Sequence, residues 1–415
     1  MSRGRKLLFF GGAALCLFGV TGWWMMRSGP DADREEALAR AAGIPTKWSE
    51  FPRHAPTQDA ENAAIEYREA MSIKEFVPSF GSGAAAAGGW HEWYAQCRPQ
   101  LESLIRGAKK PHCDFGYKIP LDQARIGKDA TPLVMLVSAA TREARLEASG
   151  GHAVKGLHLL AQVAPVAGHL SETPNDLMFS DAQLCAYSVC RSVQAILRDH
   201  WMEPGVPEAT EEAVRRVALH TDPVQMLEQS TLNRIHYLGR ARQVWGRFEY
   251  PNKLASKELL AESYIPGMIQ RWKASLWRST RREVAAMREA SGDWVKLDRD
   301  LDRIYKEETS RTDGLFLAKM TGNPAWWVST IPRFTAIRRV TDQAAAVLKL
   351  YGRTGKFPAS LPLLGDELTD PRLNSQIRYE ATRRGFVIQA AGDRGVYFRG
   401  AKDDLVRFEF VLPKP

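Results

Sequence analysis

The side chains most able to do chemistry in this sequence are scattered, and their spacing limits what each group can do. His112, Cys113 and Asp114 are three consecutive ligand-type residues. Consecutive residues of a regular element cannot all aim at one metal, and no second cluster follows at ligand spacing, so the triplet reads as a turn. Asp298, Asp300 and Asp302 match the opening of a calcium loop, but Arg303 stands where the sixth position needs Gly and Thr309 where the twelfth needs Glu. The stretch LDRDLDRIYKEE is therefore expected to be a charged amphipathic helix. The nine histidines, from His54 to His236, form no HExxH pair, and there is no GxSxG, Walker loop or SxxK. A catalytic group would have to be assembled from distant positions, with His91, Cys113 and His236 as nominees. No cofactor motif or zinc-type cysteine spacing occurs, and neither a cofactor nor a metal is expected.

Arg271, Lys273, Arg278, Arg281 and Arg282 lie in MIQRWKASLWRSTRR with two tryptophans and no acid. Such a patch could meet an anionic surface, either lipid headgroups or an acidic polymer. The alternative is a helix with Ile269, Trp272 and Leu276 turned inward at i, i+3 and i+7 and its cations solvated. Five cysteines are present. Cys16 lies in an apolar run, and Cys97 and Cys113, separated by 15 residues, are a possible disulfide. In the chain-entropy model that bond would contribute ~3 kcal/mol. Cys185 and Cys190 share a predicted helix at a spacing that does not favour a bridge and read as buried apolar side chains.

Elements must place these groups, and the N-terminus decides the compartment. Leu7 to Met26 carries no charge over 20 residues, a helix roughly 30 Å long and so about one bilayer core. Arg3, Arg5 and Lys6 precede it and Arg27 follows, so the tip is expected in the cytoplasm and the bulk of the chain outside it. A cleaved signal peptide would leave the bulk on the same side, but RSGPDA is a poor cleavage site. Lipoprotein processing at Cys16 is opposed by the preceding Leu15. The formal charge of +9 over 415 residues contains four basic residues of the first 27, which leaves +5 on the remainder. That excess is too diffuse for a nucleic-acid footprint, and no nucleic-acid partner is expected.

The fold class read from the pattern is mainly α: an irregular helical bundle or helix-hairpin body with a small C-terminal α+β antiparallel-sheet module. The expected division is 1–27 cytoplasmic tip and anchor, 28–58 juxtamembrane linker with one short helix near 33–43, 59–324 helical body, and 325–415 α+β module. Asp59 is expected to cap the helix DAENAAIEYREAM, and SFGSGAAAAGG (79–89) reads as a loop. Helices are suggested near 90–108, 130–149, 152–170, 175–199, 207–220, 223–249, 264–290, 294–311 and 325–351. On the fourth of these, Cys185, Val189, Val193 and Ile196 form an apolar stripe, and Thr173 is the expected cap with Pro174 in the first turn. A Gly-Gly turn followed by Gly156 and Ala161 predicts a close TPR-like hairpin, without a second copy at a 34-residue period. IRYEAT and GFVIQAA flank Arg383-Arg384 as a hairpin, and Val406, Phe408 and Phe410 alternate with Arg407 and Glu409.

Two resemblances follow from motifs. DQAAAVLKLY, GKFP, Asp370-Pro371, IRY and AAGDRG, over residues 342–394, resemble the soluble module of type II secretion major pseudopilins. That resemblance implies the fold of the module rather than filament assembly, because nearly 300 residues separate it from the N-terminal apolar run. Asp393, Asp403 and Asp404 are the local candidates for that family's acidic calcium loop. Over nearly its full length the chain resembles a group of uncharacterised, N-terminally anchored bacterial helical proteins, through Asp59 to Tyr67, Lys110-Pro111-His112-Cys113 and Gly355 to Pro358. That group implies no activity. The expectation is a membrane-anchored, non-enzymatic scaffold or binding protein of the cell envelope, partnered by an envelope protein or polymer. An envelope-polymer hydrolase and a pseudopilin-related assembly component are the alternatives.

Overall fold

The computed structural model describes residues 31–51, 57–71, 90–117, 123–239, 267–311, 324–363, 365–371, 375–390, 397–398, 401–402 and 407–412. The apolar run Leu7 to Met26, the 79–89 loop, Val406, and Asp393, Asp403 and Asp404 lie outside the described residues. No described helix is long and apolar enough to cross a membrane. The protein is mainly α with small antiparallel sheets near its C-terminus. Its compact units do not follow chain order: one comprises Met1–Phe51, Leu227–Glu289 and Arg299–Ala325, and the other Pro52–Met226, Ala290–Asp298 and Trp326–Pro415.

The first unit begins with α1 (Ala32–Ala41), whose N-cap Asp31 accepts from the backbone of Asp33 and Arg34. The short helix expected near 33–43 is present, and Ala39, Ile44 and Phe51 are buried. The Arg288 guanidinium, from a later helix of the same unit, donates to Ala42 O at 2.7 Å.

The second unit holds a helical core and the C-terminal module. A 3-10 turn, Asp59–Glu61, leads to α2 (Ala64–Met71), followed by α3 (Trp90–Ala108) and α4 (Gln123–Ser149). Gly150 and Gly151 turn the chain into α5 (Ala153–Val163). The predicted close hairpin is present: a Cβ on Gly156 would lie 2.3 Å from the Ala144 carbonyl oxygen, so only glycine lets the two backbones approach. The helix expected over 152–170 is instead two, α5 and α6 (Pro165–Glu172), because Pro165 has no N–H to continue the ladder. The next helix, α7 (Asp176–His200), is capped by Asn175 rather than Thr173; the Asn175 side chain accepts from Leu177 and Met178 N–H. Cys185, Val189, Val193 and Ile196 are all buried, as the stripe requires.

The chain continues through α8 (Val206–Arg215), α9 (Pro223–Gly239), α10 (Met268–Ala290), α11 (Trp294–Thr309), the short α12 (Pro324–Val328) and α13 (Thr330–Thr354). Three small sheets follow. β1 (Thr369–Asp370) pairs with β2 (Ser375–Gln376), and β5 (Tyr397–Phe398) with β6 (Ala401–Lys402). The main sheet has the order β3 (Arg378–Thr382), β4 (Gly385–Gln389), β7 (Arg407–Val411), all antiparallel. Arg383-Arg384 form the hairpin turn, and Phe386, Ile388, Phe408 and Phe410 bury one face. These side chains and the buried face of α13, including Ala336, Ile337, Val340 and Ala344, belong to one hydrophobic core. Gln194 of α7 donates to Thr341 Oγ1 at 2.9 Å inside that core.

Candidate functional site

Two of the sequence motifs, some fifty residues apart, meet in the second unit. Asn62 and His112 form a parallel β-bridge. Ala63 N–H donates to His112 O at 2.8 Å, and His112 N–H to Glu61 O at 3.3 Å. The Asn62 side chain extends the pairing: Oδ1 accepts from Asp114 N–H at 2.9 Å, and Nδ2 donates to Asp114 O at 2.9 Å. The same Oδ1 accepts from Ala64 N–H at 3.0 Å, so Asn62, and not the expected Asp59, covers the start of α2. Lys110 closes the opposite side. Its ammonium donates to the carbonyls of Asp59 and Asn62 and meets the Glu66 carboxylate at 2.8 Å. The Arg68 guanidinium donates to Phe115 O. A side chain on Gly107 would meet the Tyr67 ring at 2.6 Å, so glycine there lets α3 lie against α2.

A third segment joins through His169 of α6. Tyr67 Oη lies 2.6 Å from His169 Nδ1, and His169 Nε2 lies 3.0 Å from the Lys110 carbonyl oxygen. A carbonyl only accepts, so Nε2 carries the proton, Nδ1 accepts, and the Tyr67 hydroxyl donates. Tyr67 is 0% and His169 4% exposed. Burial is the main reason the His169 pKa falls to about 4, so the ring is neutral at pH 7. Burial likewise raises the Tyr67 hydroxyl well above its ordinary value. Cys113 N–H donates to Glu172 Oε2 at 2.8 Å. Burial first, and then the nearby Glu172 carboxylate, push the Cys113 thiol well up.

This arrangement holds protons in place rather than moving them. A thiolate nucleophile needs a depressed pKa and access, and Cys113 has neither. The neutral imidazole has both nitrogens committed to the fold. The junction is a lock between the 59–67 segment, the 110–115 segment and α6. His112 and His220 are exposed at its margin, with His220 N–H donating to Ser171 Oγ at 2.7 Å.

The nominated catalytic residues are distributed otherwise. Cys113 belongs to the second unit and His236, on α9, to the first, where its ring packs beside Tyr237. The His91 side chain lies outside the described residues. Asp300 and Asp302 pair within α11 with Arg303 and Lys306, as expected for a charged helix. Among the described residues no three His, Cys, Asp or Glu side chains converge as a metal site. Cys97, Cys113, Cys185 and Cys190 are free and buried, so the bond that the Cys97–Cys113 spacing allowed is not formed.

The basic stretch on α10 is largely internal. Arg278 Nε meets Glu308 Oε2 at 2.7 Å, and Glu308 is 1% exposed. Arg282 bridges Glu308, at 2.7 Å, and Glu307. Arg281 reaches Glu35 of α1 at 3.2 Å. Three of the five cations nominated for an anionic surface are thus paired within the fold, and Arg271 and Lys273 are half-buried. Trp272 and Leu276 are buried. Ser279 donates to Glu283 at 2.6 Å beside this cluster, and burial raises the Glu283 carboxyl.

Sequence reasoning singled out Tyr67 and Cys113 within their motifs but gave His169 no special place. Its partners are about 60 and 100 residues away, and no local spacing marks it. Comparison with family models, with curated proteins and with solved structures finds no match for this chain.

Proposed function

We propose that this protein is a membrane-anchored, extracytoplasmic helical scaffold or binding protein of the cell envelope. The location rests on the sequence: the uncharged run Leu7 to Met26, with three cations ahead of it. The observation that carries the non-enzymatic reading is the closed Tyr67–His169–Cys113 junction. There the groups most able to do acid–base or nucleophilic chemistry are buried and uncharged, with the Tyr67 hydroxyl and both His169 ring nitrogens bonded to the fold. Buried cysteines also suit an oxidising compartment, since exposed thiols there would be open to disulfide exchange.

The test is in two steps. Alkaline carbonate extraction should leave the full-length chain in the membrane, and protease added outside spheroplasts should digest the chain beyond residue 31. Crosslinking in intact cells should then recover one partner in fixed stoichiometry. Release by carbonate, or protection from the protease, would overturn the location. A purified chain that hydrolyses an envelope polymer would overturn the scaffold reading.

A further inference from the structure

We propose that one end of the second unit, formed by Met202, Val411, Arg353, Lys356, Arg383 and Arg384, docks on an anionic bilayer surface. Met202 and Val411 are 71% and 61% exposed, the most exposed large apolar side chains among the described residues. A cluster of rings holds the chain neighbours of these residues together at that end. Trp201, next to Met202, lies edge-on to Phe410, next to Val411, at 5.5 Å, and to Tyr351 at 5.4 Å. Phe357, next to Lys356, stacks on Tyr351 at 4.2 Å and lies 5.5 Å from Phe386. The hairpin turn is tied to the same end: Gly385 pairs with Val411, and Leu412 N–H donates to Arg384 O at 2.7 Å.

Charge complements the apolar tips. Arg353, Lys356, Arg383 and Arg384 are exposed, and of these Arg353 lies near enough to Glu208 to help hold its carboxyl low. Two of the carboxylates in these elements are already engaged: Glu208 by Lys349 at 2.8 Å, and Glu409 by Arg407 at 3.1 Å. Glu380 remains exposed on β3. Separated apolar tips among cations suit a headgroup interface, where the tips enter the acyl boundary and the cations meet anionic lipid. A stable protein partner calls for roughly 800 Å² per side with a continuous apolar centre, which two side chains do not provide. The proposal goes beyond the scaffold reading and does not rest on it, since any anionic bilayer within reach would serve.

The test uses the full-length chain in a Cys16→Ser background, with Met202→Cys carrying an environment-sensitive fluorophore. The described native cysteines are buried, which directs the label to position 202. The chain is reconstituted in vesicles of phosphatidylcholine alone or with about 30% phosphatidylglycerol, bearing an acyl-chain quencher, at low salt and at roughly 0.5 M salt, where charge is screened. Quenching is expected in the anionic vesicles at low salt, and not in the zwitterionic ones or at high salt. Arg383→Gln with Arg384→Gln should lower the inserted-to-free ratio roughly 25-fold, about fivefold for each cation. Equal quenching in both lipids, no quenching in either, or insensitivity to the two substitutions would overturn the proposal. Protection of the label by polyglutamate but not by vesicles would overturn it in favour of an acidic polypeptide.

Discussion

Acid should open the junction around His169 before it unfolds the rest of the second unit. Neutral His169 accepts from Tyr67 and donates to the Lys110 carbonyl; the imidazolium has two donors and leaves the Tyr67 hydroxyl proton without its acceptor. The pKa falls from 6.5 in the open chain to about 4 in the fold. The open state therefore binds the proton more strongly, and the contribution of His169 is fully present above pH 6.5 and lost as pH falls from 6.5 towards 4. The whole loss is about 3 kcal/mol, since each tenfold change in proton affinity is ~1.4 kcal/mol. Between pH 7.5 and 4.5 the same linkage predicts a roughly 70-fold rise in the opening equilibrium. The titratable groups around the junction are Glu66 and Tyr67 from α2, Lys110, His112 and Cys113 from the 110–115 segment, Glu172 from α6, and His220. The assay is hydrogen exchange read by mass spectrometry on the full chain at both pH values, corrected for intrinsic exchange. Protection of the amides of Ala63, His112 and Asp114 should fall by that factor, while α7 amides hold. His169→Gln, which does not titrate, should lose protection equally little at both pH values. Unchanged protection in the parent chain, or the same acid loss in His169→Gln, would refute the reasoning.

Four further outcomes are expected. Glu308→Ala removes the buried carboxylate that meets Arg278 and Arg282 and should destabilise the first unit by about 3–5 kcal/mol, seen as lost exchange protection in α10 and α11. Gly156→Ala drives a Cβ into the Ala144 carbonyl and should cost ~1–3 kcal/mol in denaturant unfolding. Gly352→Ala, on an open face of α13, should instead stabilise by ~0.5–1 kcal/mol in the same measurement. Thiol reagents should leave Cys97, Cys113, Cys185 and Cys190 unlabelled until denaturant is added, and reduction should not change mobility on a denaturing gel; rapid labelling of the native chain would contradict their burial.

Elements with a strong local period were legible in the sequence. The α7 stripe predicted its buried face because side chains at i and i+4 share a side whatever the partner. Phe408 and Phe410 alternate with Arg407 and Glu409 in the structure as they do in the sequence, because the pleat has period two. Caps were less legible. Thr173 and Asp59 are good cap residues by type, but Asn175 and Asn62 stand closer to the first helical N–H groups and take the bonds. The break at Pro165 was legible in principle, since a missing N–H is a property of the residue alone.

The sequence by itself determined the helical class, the α+β ending, the close Gly156 hairpin and the expectation of an N-terminal anchor. Each depends on residues within a few positions of one another, whose geometry the backbone imposes directly. Only the tertiary structure decided that Asn62 and Tyr67 meet His112, Lys110 and His169. It also decided that Arg278, Arg281 and Arg282 pair with Glu308, Glu35 and Glu307 within the fold. A helix face of arginines reads the same whether water or a buried carboxylate answers it. The choice is made by which distant segments the core brings within reach, and that pairing carries no local period.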